Sequence, residues 1–253
     1  MKLFINKAIF DALSETEKNV IAYINNHEQD ILKLSITDIA ENTYTSIATV
    51  SRTIQKCGFQ GIAELRYRMK DKDGEHTNSN ITNEIIAKSY RECTKTFDNL
   101  RITSILKCAE YIEEGKIVYI FARGFTTLVA EEFQMQLQLL GFHTVIVSDV
   151  IWMKHCNTLS TKEDVVVILS VINSTPELAE SANIIKKIGA KIIVCTCKDH
   201  TTLTAAADVV VLGYSEEIMK ARGISIQSHV PLFLITKIIL EYLSEKNVKK
   251  VIN

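Results

Sequence analysis

Apolar residues recur at two different periods along this chain, and the change falls near Lys116. Before it the spacing is helical. Val20, Ile21 and Ile24, then Ile31 and Leu34, keep one face of a helical stretch apolar. Ser14 followed three residues later by Glu17 has the form of a capping box and marks a helix start. Ile36, Ile39 and Ala40 form the inner face of a second helix, with Ser35 before it. Val50, Ile54 and Cys57 form the inner face of a third, opened by Thr45 or Ser46 and closed by Gly58. One more helix is expected over residues 62–70. Residues 1–72 thus predict an all-α domain. The run from Asp71 to Asn80 is polar and without period, so residues 73–80 are expected to be a linker. Helical spacing resumes at Ile81 and reaches Glu114, with a break near residues 101–104.

From Lys116 onward, strand-length apolar runs appear at residues 117–122, 144–147, 165–169, 191–195 and 209–212. Helix-length segments separate them, at residues 127–140, 151–155, 177–188 and 203–206, and a last apolar helix covers 231–243. Strands that are apolar at nearly every position must be covered on both faces, which implies a parallel sheet between helices. Residues 81–253 therefore predict an α/β doubly wound domain.

Composition changes this picture little. A hydrophobic share of 47% and a charged share of 23% suit a globular protein, and no apolar run reaches the length of a membrane span. Residues 1–10 lack the pattern of a secretion signal. The six cysteines (Cys57, Cys93, Cys108, Cys156, Cys195 and Cys197) form no CxxC or metal-ligand spacing and read as reduced, mostly buried thiols. A cytoplasmic protein without metal or cofactor is expected. Net charge is -1, yet Arg52, Lys56, Arg66, Arg68 and Lys70 stand against Glu64 alone in one short stretch. Such local asymmetry suits either a solvated helix face or a nucleic-acid contact.

The helices at 36–42 and 46–57 are joined by the short link Thr43–Thr45, and the small Ala40 allows them to cross closely. The outward face of the second helix is expected to present Ser46, Ile47, Thr49, Arg52, Thr53 and Lys56. Arginine suits bidentate contact to guanine, and hydroxyls suit phosphates or bases. The stretches Ser35-Ile36-Thr37-Asp38-Ile39-Ala40, Ser46-Ile47-Ala48-Thr49-Val50-Ser51-Arg52 and Gly58-Phe59-Gln60-Gly61 resemble the helix-turn-helix of the RpiR family of bacterial regulators. Tyr44 stands where that family's pattern has glycine in the turn.

Two loops at the carboxyl ends of predicted strands gather small polar residues, where doubly wound sheets hold ligands. The first contains Arg123, Gly124, Thr126 and Thr127; the second contains Ser170, Asn173, Ser174 and Thr175, before Pro176 at a helix start. Each loop read alone is equally an ordinary helix cap. Residues 105–243 resemble the sugar isomerase (SIS) domain, through Gly141-Phe142-His143, Ser148-Asp149, residues 163–170, residues 189–193 and residues 207–212. That resemblance implies a phosphosugar site at the two loops. It also shows departures: Ile172 and Asn173 replace a serine and a glycine of the second loop, and Ala122 and Thr126 replace a glycine and a serine of the first. A hydroxyl lost from a charged ligand is worth about 1.5–3 kcal/mol; Arg123 compensates if its side chain faces the ligand and not if it points away.

The resemblance implies a transcription regulator of carbohydrate genes rather than an enzyme. Its partners would be double-stranded DNA with a palindromic operator, a phosphosugar effector, and further copies of the chain in a homodimer or homotetramer. The segments 81–114 and 231–243 are expected to make the contacts between copies. Two alternatives stay open. One is an isomerase-like enzyme, with Glu131, His155, Glu177, Glu216, Glu217 and His229 as candidate bases. The other is a regulator whose second domain only dimerises. No HExxH, GxSxG or Walker motif is present.

Overall fold

The computed structural model describes residues 7–31, 33–70 and 78–252. By its internal contacts the chain divides into two compact units, one up to Arg91 and the other from Glu92.

The first unit is helical. It contains α1 (Lys7–Asp11), α2 (Glu15–Asn26), α3 (Ile36–Asn42), α4 (Ile47–Lys56) and α5 (Ile62–Lys70), and α6 (Asn78–Asn99) begins in it. Side-chain caps fix where these helices start. Ser14 Oγ accepts from Glu17 N–H while the Glu17 carboxylate accepts from Ser14 N–H at 2.9 Å, and Ser35 and Asp38 repeat the arrangement at the head of α3. Ser46 caps α4 by accepting from Thr49 N–H at 3.1 Å. Gly58 ends α4 at φ +89, a conformation that disfavours any residue with a Cβ. Val20, Ile24, Ile39, Val50, Ile54 and Leu65 meet in one core, with Ile31 also buried in it. Ile31 and Leu34 do not continue a helix: α2 stops at Asn26, a single 3-10 turn covers Glu28–Asp30, and the chain then turns into α3.

The second unit follows the order α7 (Ile102–Glu114), β1 (Val118–Phe121), α8 (Thr126–Leu139), β2 (Thr144–Val147), α9 (Val150–Lys154), β3 (Val165–Ser170), α10 (Pro176–Ile188), β4 (Lys191–Thr196), α11 (Thr202–Ala206) and β5 (Val209–Leu212). All five strands are parallel and lie in the order β2-β1-β3-β4-β5. Side chains alternate between two cores. Val118, Ile120, Val165, Val167 and Leu169 join Ile112, Phe133, Leu137 and Ile239 on one face. Tyr119, Phe121, Val166 and Ile168 join Met153, Leu178, Ile185 and Leu203 on the other. Burial on both faces is the reason these strands carry no polar alternation.

Three further features depart from the sequence-based expectation. Residues 78–80, assigned to the linker, belong to α6, while 73–77 lie outside the described residues. An antiparallel hairpin, β6 (Glu217–Ala221) and β7 (Ile224–Gln227), was not expected. Its two-residue turn has Arg222 at φ 50 and Gly223 at φ 78, a geometry usually announced by Asn-Gly rather than Arg-Gly. The last helix, α12 (Val230–Ile252), runs beyond residue 243, and Lys246 in that extension pairs with Glu113 of α7.

Candidate functional site

In the first unit, α4 is held against α2 and α3 by Val50 and Ile54, which leaves its opposite face open. Ser46, Ile47, Arg52 and Lys56 are exposed, and Thr49 is half-buried. Thr53 is a correction: it is fully buried, and its hydroxyl donates to the Thr49 carbonyl at 2.8 Å. It lies three residues after Val50 and four before Cys57, so the helical period places it inward. Lys56 is exposed but paired with Glu17 at 2.6 Å, and that contact holds the Glu17 carboxyl below its ordinary pKa. Arg66, counted in the basic stretch, spends its guanidinium on the carbonyls of Ile31 and Leu34. The basic surface is therefore narrower than the charge count suggests. Three residues not singled out from sequence, Ala48, Ser51 and Gln55, share the outward side with Arg52. Ala48 and Gln55 lie four before and three after Arg52, so the same period was the signal for them. Arg52 Nε donates to the Ala48 carbonyl at 3.2 Å and folds along its own helix. Tyr44, in the turn before α4, has φ 52 and is 96% exposed.

In the second unit the sheet order reverses between β1 and β3, so the loops leaving their carboxyl ends diverge and open a crevice. A cavity of about 180 Å³ occupies it. Arg123, Thr126, Ser170, Ser174 and Thr175 line it together with Phe125, Ile172 and His229. β7 supplies a further wall through Ile224, Ser225, Ile226 and Gln227. That wall was missed with its hairpin.

Ser170 Oγ accepts from Asn173 N–H at 3.2 Å, which leaves its own proton available to a ligand. Thr175 is the N-cap residue of α10 by position, yet its side chain makes no capping bond, so its hydroxyl is open; of the first backbone groups of α10, Pro176 has no N–H and the Leu178 N–H donates to the Thr175 carbonyl at 3.2 Å. Arg123 donates through Nη1 to the Ser148 carbonyl at 3.0 Å and keeps its other donors. Thr126 Oγ1 lies 3.3 Å from His229 Nε2, and Phe125 meets the His229 ring edge-on. Burial pushes the His229 pKa down, so the imidazole is neutral at neutral pH.

Gly124, Thr127 and Asn173 shape the loops and do not line the cavity. Gly124 has φ +58, and nothing lies within 4 Å of where a Cβ would stand, so the turn rather than crowding calls for glycine. Thr127 Oγ1 donates to the Gly124 carbonyl at 2.7 Å. Asn173 adopts φ 55 where a glycine would be at ease. Its amide donates to the Lys198 carbonyl and Thr201 Oγ1 at 2.8 and 2.9 Å and accepts from Thr196 Oγ1 at 2.9 Å. Of the six candidate bases, only His229 lines the cavity. Among the described residues no group of His, Cys, Asp or Glu is placed to hold a metal, and no helix is long and apolar enough to cross a membrane. Burial pushes the Cys57 thiol up to about 11 and the Cys195 thiol up to about 12, which makes them poor nucleophiles.

Comparison with known proteins bears on both units. Residues 5–76 match the helix-turn-helix domain of the rpiR family and residues 111–236 match the SIS domain, together well over half of the chain. An uncharacterized HTH-type transcriptional regulator of Clostridium perfringens is 26% identical over 94% of this chain and 92% of its own. The HTH-type transcriptional regulator GlvR of Bacillus subtilis is 20% identical over 95% of this chain and 94% of its own. Among solved structures, the NanR protein of Vibrio vulnificus complexed with ManNAc-6P has the same fold, with a TM-score of 0.60, 19% identity, and coverage of 95% of this chain and 90% of that one. An rpiR-type helix-turn-helix followed by an SIS fold, in a chain whose full-length relatives are named regulators, places this protein in the RpiR family of transcriptional regulators.

Proposed function

We propose that this chain is a cytoplasmic regulator of carbohydrate-metabolism genes that binds DNA through α4 and answers to a phosphosugar effector bound between the loops after β1 and β3. The observation that carries the reading is the convergence of the Ser170 and Thr175 hydroxyls and the Arg123 guanidinium on one cavity at the head of α10. These are donors without a matching carboxylate, the character of an anion site. NanR, a protein of the same fold, is complexed with a phosphorylated amino sugar, which supports the same ligand chemistry here.

Two copies of the chain, in a homodimer or homotetramer, would set two α4 helices into successive major grooves of a palindromic operator, about one helical turn apart. Ser46, Ile47, Thr49 and Arg52 then face the groove, with Ala48, Ser51 and Gln55 beside them, while Lys56 at the end of α4 stays paired with Glu17. The effector acts by binding one arrangement of the pair better than the other, since only differential affinity shifts an equilibrium. The domain assignment is 1–72 for DNA binding and 81–253 for effector binding and assembly.

Arg52→Ala tests the placement of α4. The expected result is a loss of about 1–3 kcal/mol in specific DNA binding, read by fluorescence anisotropy. Unchanged affinity would remove α4 from the groove. His229 favours a second reading, because it is the one candidate base at the cavity and touches Thr126. Turnover of an aldose phosphate to a ketose phosphate that His229→Gln abolishes would establish an isomerase instead.

A further inference from the structure

We infer that the effector is a phosphorylated sugar bearing an apolar substituent, an acyl or aryl group, that seats against Ile172, Phe125 and Ile224. The inference rests on the cavity being an effector site, as proposed above, and deepens that reading to a ligand class.

The cavity has two chemically distinct sides. Ser170, Thr175 and Arg123 supply the donors for a phosphate. On the other side Phe125, Ile172 and Ile224 stand beside Ser225 and Gln227, which are hydrogen-bonded to each other. Phe125 and Ile224 are each 63% exposed and Ile172 is 40% exposed, yet all three face this cavity. They come from three separate segments: the β1–α8 loop, the β3–α10 loop and β7. Apolar side chains on three separate segments that converge on one void are covered only when something fills it.

A sugar with hydroxyls alone fits this wall badly. A hydroxyl placed against Ile172 gives up water and gains no partner, because that side chain carries neither donor nor acceptor. Of the polar groups nearby, Asn173 is committed to Thr196, Lys198 and Thr201, and Ser225 Oγ donates to Glu217 and accepts from Gln227 Nε2. The imidazole of His229 is neutral and faces Thr126, so it adds no charge that would recruit a second anionic group. An acyl methyl or an aryl ring has no hydrogen bond to forfeit and takes the three exposed side chains out of water. Phe125 also offers a ring edge or face to an aromatic substituent. Ile172 thus reads as a selector between substituted and unsubstituted sugar phosphates.

Calorimetry on the full chain with matched pairs tests this. Glucose 6-phosphate is compared with phenyl β-glucoside 6-phosphate, and glucosamine 6-phosphate with N-acetylglucosamine 6-phosphate. The expected result is that a substituted member binds at least tenfold more tightly than its parent. Ile172→Ser, at a partly exposed position, is expected to tighten the parent and weaken the substituted member, so that the ratio falls below threefold. Parents that bind as tightly as their substituted partners overturn the inference and leave the effector site standing. A chain that is folded by its melting curve, binds DNA and takes up none of the four sugars overturns the effector reading itself, and this inference with it.

Discussion

Two non-glycine residues, Tyr44 and Asn173, occupy left-handed backbone at positions where the resemblances lead one to expect glycine, and they do so on different terms. Tyr44 is 96% exposed, and the left-handed conformation of a residue with a Cβ costs about 1–2 kcal/mol. Tyr44→Gly should therefore raise the stability of the first unit by about 1 kcal/mol, seen as a higher melting temperature. A lower one would mean that the ring holds the turn. Asn173→Gly should do the reverse despite relieving the same backbone strain. It removes the amide that ties the loop to Thr196, Lys198 and Thr201, at a cost of about 1–3 kcal/mol. His229 adds a pH dependence. Its folded pKa is depressed, so the neutral form is the one the fold favours. The associated stability is present above the ordinary histidine value, about 6.5, and is lost as pH falls through the lower folded value. Urea midpoints between neutral and mildly acid pH should drop less in His229→Gln than in the natural chain. Thr53 shows where residue chemistry misleads: a hydroxyl on a DNA-binding helix invites a contact role, while its position between Val50 and Cys57 puts it inside.

At the scale of elements, periodicity carried most of the fold because burial leaves a direct trace in sequence. The central strands β1, β3 and β4 are buried on both faces and read as unbroken apolar runs, and the edge strands β2 and β5 keep the apolar run with less burial. The helix starts at Ser14, Ser35 and Ser46 were legible because a capping side chain must stand at a fixed offset from the N–H it satisfies. The β6–β7 hairpin was not legible. Its exposed Ile218, Met219 and Ile224 give no buried-strand signature, and Arg222-Gly223 is an unusual turn pair. One wall of the cavity was missed with it. The hairpin is fastened by a buried carboxylate that no local pattern announces. Glu92 accepts from Glu216 N–H at 2.9 Å and from Ser228 Oγ–H at 2.7 Å, one residue beyond each end of the hairpin. Glu92→Ala should cost about 1.5–3 kcal/mol and raise hydrogen exchange across residues 217–227, while exchange in β3 and β4 stays slow. Equal loosening of the central strands would assign Glu92 to the core rather than to the hairpin.

The whole molecule joins a helix-turn-helix and an SIS fold in one chain, and function follows from the pairing. The family was legible from short motifs because both units depend on local constraints: caps and a tight crossing in one, loops at a sheet reversal in the other. The basic surface was only partly legible, since Lys56 and Arg66 look free in sequence and are engaged by Glu17 and by backbone carbonyls from residues distant in the chain. With fewer free cations than the charge count implies, the salt dependence of DNA binding should be shallow for a regulator, with a log–log slope that becomes less steep by about one in Arg52→Ala if that residue meets a phosphate. The most direct test of the account is anisotropy of DNA from upstream of the protein's own coding region, titrated with the chain at fixed salt, with and without phenyl β-glucoside 6-phosphate and N-acetylglucosamine 6-phosphate. The account predicts saturable, sequence-preferring binding that at least one of these sugars shifts in the natural chain but not in a Ser170→Ala/Arg123→Ala variant. Sequence-preferring binding that the sugars shift equally in that variant would contradict the assignment of the effector to the cavity between β1 and β3.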